Sequence, residues 1–139
     1  MNARWLAALL GWGLAACATP PSTGAPVDSV PIAGTRWVGV VEGNADPRTL
    51  PRLEFAAGGR VSGYSGCNMM SSSYSEEAGA VRFGPVMATK RFCAGPEGEV
   101  EKRVMSVLGP GARAVREGGK LVISTPSGAR FEFVPAEAS

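Results

Sequence analysis

From Thr35 onward the chain alternates apolar and polar residues in short runs, and glycine pairs punctuate them. Period-two alternation places every second side chain on one face, so such runs predict strands that are buried on one side. Trp37–Val41 is the first. Leu53 and Phe55 alternate with Arg52 and Glu54, Gly58-Gly59 supplies a tight turn, and Arg60–Tyr64 returns, which predicts a hairpin. Ser71–Ser75 and Val81–Phe83 are further strand segments, separated by the polar turn Glu76–Gly79. Near the end, Gly118-Gly119 precedes Lys120–Ser124, and Ser127-Gly128 joins that run to Ala129–Val134, with Phe131 and Phe133 on one face.

One segment changes period. Val100, Val104, Val107 and Leu108 fall at i, i+4, i+7 and i+8, the spacing of one helical face. Glu97, Glu99 and Glu101 crowd its start, Lys102 and Arg103 come later as the helix dipole prefers, and Gly109-Pro110 stops it. These charges read as caps and a solvated face. About seven short strands and one helix predict a mainly β (α+β) domain, an antiparallel barrel or half-barrel with the helix against one opening.

The residues ahead of this domain have a different character. Arg4 precedes the apolar run Trp5–Ala16, which has the length of a signal-peptide core and is too short for a membrane-spanning helix. The run ends in Leu14-Ala15-Ala16-Cys17, which resembles the bacterial lipobox and implies diacylglycerol on Cys17. Pro20, Pro21, Pro26 and Pro31 then interrupt a stretch of Ser, Thr, Gly and Ala, the composition of an extended tether. The organisation read from sequence is therefore a signal peptide over 1–16, a lipidated cysteine and tether over 17–33, the folded domain over 34–134, and a disordered tail over 135–139. Ala18 after the cysteine resembles an outer-membrane address. The expected location is the bacterial cell envelope, on the outer membrane facing the periplasm, with the bilayer itself as a partner through the anchor.

Composition narrows the chemistry. The chain of 139 residues has no histidine, which removes the commonest general base and metal ligand. No catalytic residue, metal or cofactor is called for. Its 14 basic and 12 acidic residues are scattered, without the basic stripe of a nucleic-acid binder, so no nucleic acid is expected as partner. Lys90, Arg91 and Arg82 read as part of a solvated surface more than as an anion site. With Cys17 assigned to lipid, Cys67 and Cys93 remain, an even number in an oxidising compartment, and the inference is one structural disulfide.

Two motifs carry a family resemblance. Gly63-Tyr64-Ser65-Gly66-Cys67-Asn68-Met69-Met70-Ser71-Ser72-Ser73-Tyr74 and Ala88-Thr89-Lys90-Arg91-Phe92-Cys93 resemble the paired hallmarks of the META domain, also called HslJ-like, here in a bacterial lipoprotein. The resemblance implies a small lipocalin-like barrel with a helix and no known catalytic residues. It marks Gly66, Asn68, Tyr74 and Thr89 as motif positions, structural or ligand-binding. Met70, Ser72 and Arg91-Phe92 depart from the family pattern, which leaves the expected fold intact but does not carry over a ligand surface shared with relatives. The resulting expectation is a monomeric, membrane-anchored binding or stress-protective module with an envelope protein as possible partner. The alternatives are an inhibitor of a secreted hydrolase such as lysozyme, recognisable by a protruding loop, and a small-ligand carrier, recognisable by an open barrel interior.

Overall fold

The computed structural model describes residues 30–44 and 46–137. Nine strands and one helix follow in order: β1 Arg36–Gly39, β2 Arg52–Ala56, β3 Arg60–Tyr64, β4 Met69–Glu77, β5 Ala80–Phe83, β6 Met87–Ala88, α1 Pro96–Val107, β7 Arg113–Glu117, β8 Lys120–Ser124 and β9 Arg130–Pro135. Eight of them close into an antiparallel ring, β3-β2-β1-β9-β8-β7-β5-β4, with β4 returning to β3. The ring strands follow one another in chain order, with β6 and α1 inserted between β5 and β7 and β9 closing on β1, so this is an up-and-down barrel. Full closure leaves none of these eight as a sheet edge. The ninth strand, β6, pairs with β4 at Met70 and Ser71, on the side that β5 occupies further along.

The alternation forecast from sequence fills the interior. Leu53 and Phe55 of β2 point inward and Arg52 and Glu54 outward, and the same rule buries Val61, Phe83, Leu121, Ile123, Phe131 and Phe133. The β7–β8 connection is the two-residue Gly118-Gly119, both at positive φ, as a primed hairpin turn requires. A void among Leu53, Val61, Met70, Phe83, Val86 and Leu108 is only about 10 Å³. That is room for about one water.

The two ends of the barrel are closed differently. At one, α1 lays Val100, Val104 and Val107 over the core and meets the β3–β4 loop. Glu97 and Glu99 lie in its first turn as expected, but no basic residue reaches its last turn. Lys102 pairs with Glu99 at 2.8 Å, and the Arg103 guanidinium sits over the Phe131 ring. At the other end Ile32, 1 % exposed, plugs the mouth. Its N–H donates to Glu76 Oε1 at 2.8 Å, and Thr35 Oγ1 donates to its carbonyl. A cleft of about 280 Å³ remains beside it, lined by Val30, Glu76, Val81, Ala114 and Arg116 among others.

Several expectations are corrected. The folded unit begins before residue 34, because Ile32 belongs to the core, and it extends past 134. Pro135 pairs with Trp37, and Ala136 N–H donates to Arg36 O at 2.9 Å, so the expected tail starts inside the fold. β1 stops at Gly39 and β4 continues to Glu77, leaving Ala78-Gly79 as the turn. β6 and β7 were not foreseen: β6 is two residues long, and Arg-Ala-Val-Arg-Glu in β7 offers one fully buried side chain, Ala114.

Candidate functional site: a latched loop beside the helix

Between β3 and β4 the chain must reverse over Ser65, Gly66, Cys67 and Asn68. Ser65 N–H donates to Asn68 O at 2.8 Å, and Asn68 N–H donates to Ser65 Oγ at 2.9 Å, which ties the loop base. Tyr64 Oη donates to Gly66 O at 3.0 Å. Gly66 sits at φ +105, and a Cβ there would lie 2.8 Å from Val100 Cγ1, so glycine is what lets α1 come this close.

Asn68, 4 % exposed, is the centre of the arrangement. Its Nδ2 donates to Arg91 O at 3.0 Å and to Glu101 Oε1 at 2.7 Å. Its Oδ1 accepts from Arg91 N–H at 2.7 Å and from Thr89 Oγ1 at 2.9 Å. Two donors and two acceptors are the full capacity of an amide side chain, and here all are used. Ser65 Oγ stands 3.0 Å from Glu101 Oε1 and from Asn68 O, and its single proton serves one at a time. Thr89 also holds β4, accepting from Met69 N–H through Oγ1 and donating its own N–H to Met69 O. Arg91 returns a guanidinium proton to Cys67 O at 2.8 Å. The Cys67–Cys93 disulfide, with Cα atoms 6.1 Å apart, staples the far side of the same loop.

The segment Thr89–Cys93 is thus fixed at both ends and in its middle. What it presents is Phe92, 90 % exposed. On the adjoining strands Met69 and Met87 stand 60 % and 64 % exposed, while Met70 between them in the pleat is buried. Register explains the pairing: Ser71 lies opposite Met87, and Met69 lies two positions before Ser71, so both methionines share the outer face. A shallow depression of about 380 Å³ lies among Met69, Ser71, Met87 and Thr89.

Of the motif positions marked from sequence, the fold brings Gly66, Asn68, Thr89, Cys67 and Cys93 together. Tyr74 is elsewhere. It lies further along β4, packs edge-on to Phe55 with ring centroids 5.1 Å apart, and donates its hydroxyl to Ala56 O at 2.7 Å. Burial, aided by the charge of Glu76, pushes its phenol above the ordinary value of 10.0. Arg82 is also apart, 3.3 Å from Glu77 on the β4–β5 hairpin. Cys17 lies outside the described residues.

Sequence reasoning gave Ser65 no role, and it misread Arg91 as solvated surface and Glu101 as part of a solvated helix face. The available signal for Glu101 was its position: it precedes Val104 by three and Leu108 by seven, at the margin of the buried stripe. Chemically the cluster consumes its own donors and acceptors. Among the described residues no group of three or more His, Cys, Asp or Glu side chains is placed to hold a metal ion.

The whole described fold, from Val30 through the latch to the last strand, is spanned by one family match, the META domain over residues 30–138. The chain belongs to the META domain family. Two solved structures share its fold. The NMR structure of a protein from Burkholderia xenovorans is 20 % identical with a TM-score of 0.62, covering 77 % of this chain and 85 % of that one. A second protein solved by NMR is 21 % identical with a TM-score of 0.58, covering 73 % and 88 %. At these identities the likeness concerns architecture alone. No curated protein matches the chain. Both motifs lie within the matched range, on the two segments that Asn68 joins.

Proposed function

We infer that this META domain is the binding head of a lipid-anchored bacterial envelope protein of the HslJ-like type, and that it acts by holding a partner protein, not by catalysis. The observation that carries the reading is Phe92: a phenyl ring 90 % exposed on a segment tied down by a disulfide and a saturated asparagine. Leaving such a ring in water forgoes about 2–3 kcal/mol of burial. A fixed aromatic anchor loses little entropy on binding, which is how a few side chains dominate an interface.

The anchor and the address rest on the pattern around Cys17 and on the proline-rich tether. The disulfide suits an oxidising envelope compartment. The tether joins the domain at Val30, by the Ile32 plug, while the Phe92 loop lies by α1 at the opposite end. In a domain hung from Val30, the Phe92 loop is at the end remote from the attachment, which leaves it accessible to a protein partner.

The test is affinity capture from detergent-solubilised envelopes with wild-type protein, Phe92→Ser and Cys17→Ser. The expected result is one stoichiometric protein held by wild type and lost with Phe92→Ser, and release of Cys17→Ser from membranes. Equal capture by wild type and Phe92→Ser removes the loop from the interface, and a membrane-bound Cys17→Ser removes the lipid anchor. A protruding latched loop also favours a second reading, blockade of a secreted hydrolase. Inhibition of lysozyme by wild type and not by Phe92→Ser would select it. A carrier reading rests on the cleft of about 280 Å³ at the Ile32 end, into which the inward-facing Val81, Ala114 and Leu121 reach, and binding of a small apolar probe that Ile32→Trp abolishes would select it.

A further inference from the structure

We propose that Met69 and Met87 form a paired oxidation site, where a two-electron oxygen donor such as a peroxide or hypochlorite converts both thioethers to sulfoxides and turns the outer face of β4 and β6 from apolar to polar. The consequence for binding rests on the function inferred above; the chemistry does not.

Four methionines lie among the described residues, and the fold sorts them sharply. Met69 and Met87 are 60 % and 64 % exposed, Met70 is 6 % exposed, and Met105 packs half-buried against the core. The sorting follows from the pleat. Met70 faces inward opposite Gly63, whereas Met69 lies opposite Tyr64 on the outer face and Met87 lies opposite Ser71 on that same face. The depression between them is lined by Ser71, Ala88 and Thr89. Nothing bulky shields either sulfur from a small oxidant there.

The competing sulfur in this domain is already spent. Cys67 and Cys93 are joined to each other, so no thiol among the described residues intercepts the oxidant first. In the reaction a sulfur lone pair attacks the terminal oxygen of the peroxide and the O–O bond breaks. The departing hydroxide takes up the proton of the transferred oxygen and leaves as water. Sulfur loses two electrons and the peroxide gains them; with hypochlorite the leaving group is chloride. The product is a polar, chiral side chain that methionine sulfoxide reductases restore. Two such changes make polar an outer face on which Met69 and Met87 now stand 60 % and 64 % exposed.

The purified protein is treated with graded hydrogen peroxide, and oxygen uptake at each methionine is followed by peptide mass spectrometry. Met69 and Met87 are expected to react on the order of tenfold faster than Met70 and Met105, with the rates converging once urea unfolds the barrel. The Met69→Leu/Met87→Leu variant then takes up almost no oxygen in the barrel while folded, and methionine sulfoxide reductase reverses the change in wild type. Oxidation of Met70 or Met105 at the rate of Met69 in the folded protein overturns the proposal, as does protection of Met87. Peroxide-treated wild type should lose the partner captured from envelopes, and the double leucine variant should keep it. If the mapping holds and capture is indifferent to peroxide, the oxidation site stands and the binding-face reading falls.

Discussion

Replacing Asn68 by alanine removes four hydrogen bonds and opens the latch without touching the hydrophobic core. One of the four runs to the Glu101 carboxylate at 2.7 Å, the charge-assisted kind, worth about 1.5–3 kcal/mol. The other three, to Arg91 O, Arg91 N–H and Thr89 Oγ1, are neutral and worth about 1 kcal/mol each when buried. Arg91 and Thr89 are exposed enough to recover water once released, so a full sum overstates the loss. An expected destabilisation of about 3 kcal/mol follows, a large part of the roughly 5–15 kcal/mol available to a small domain. In urea, with a slope of about 1 kcal/mol per molar, the midpoint should fall by about 3 M.

The companion Asn68→Asp variant checks the mechanism. It keeps the shape and the Oδ1 acceptor, but it sets a second carboxylate 2.7 Å from Glu101 Oε1, where the amide had donated. It should cost at least as much as alanine at neutral pH, and adding Glu101→Gln should recover much of the loss by restoring a donor between the two side chains. A double-mutant cycle reads that coupling directly. A loss under about 1 kcal/mol for Asn68→Ala, or no coupling between positions 68 and 101, would refute the latch as an energetic unit.

Other outcomes follow from the same structure. Reducing the disulfide, whose cysteines are 26 positions apart, should lower stability by about 3.5 kcal/mol in the chain-entropy picture, and an unchanged urea midpoint in reductant would contradict it. Gly66→Ala places a Cβ 2.8 Å from Val100 Cγ1 on a backbone at φ +105, so a loss of about 2 kcal/mol or more is expected by thermal unfolding. Tyr74 is held protonated by burial and by Glu76, so its contribution is complete below the ordinary value of 10.0 and disappears as pH rises through the higher folded-state value. Melting temperatures taken into the alkaline range should fall less steeply for Tyr74→Phe than for wild type. Phe92→Ser should change the unfolding free energy from urea titration by no more than about 0.5 kcal/mol, because the ring is 90 % exposed; a larger loss would make Phe92 structural.

The barrel was legible in the sequence because its signals are local. Alternation at Leu53 and Phe55, the glycine turns, and the four-three-one spacing of Val100, Val104, Val107 and Leu108 each depend on a few neighbouring residues. β7 was missed because Arg113–Glu117 is a strand by virtue of its neighbours: Val81 of β5 on one side and Ile123 of β8 on the other flank Ala114, and closure of the ring supplies the pairing. The same limit applies to the domain edges, where Ile32 is core only because the β4–β5 hairpin supplies Glu76 44 positions away.

The latch shows the boundary most clearly. Asn68 and Thr89 stood out as motif residues, yet nothing local says what they bind, since their partners lie 21 to 33 positions away on a loop and on a helix. Glu101 carries the ordinary signature of a surface helix residue, an acid among Glu99 and Lys102, and only the approach permitted by Gly66 turns it toward the β3–β4 loop. An asparagine with every donor and acceptor consumed has no capacity left for a ligand. The motif therefore acts at one remove: it fixes the segment, and Phe92 is what that segment exposes to solvent. Swapping Arg91-Phe92 for Met-Ala should accordingly leave the barrel folded, since both bonds that Asn68 makes to residue 91 are to its backbone, while weakening capture of the partner.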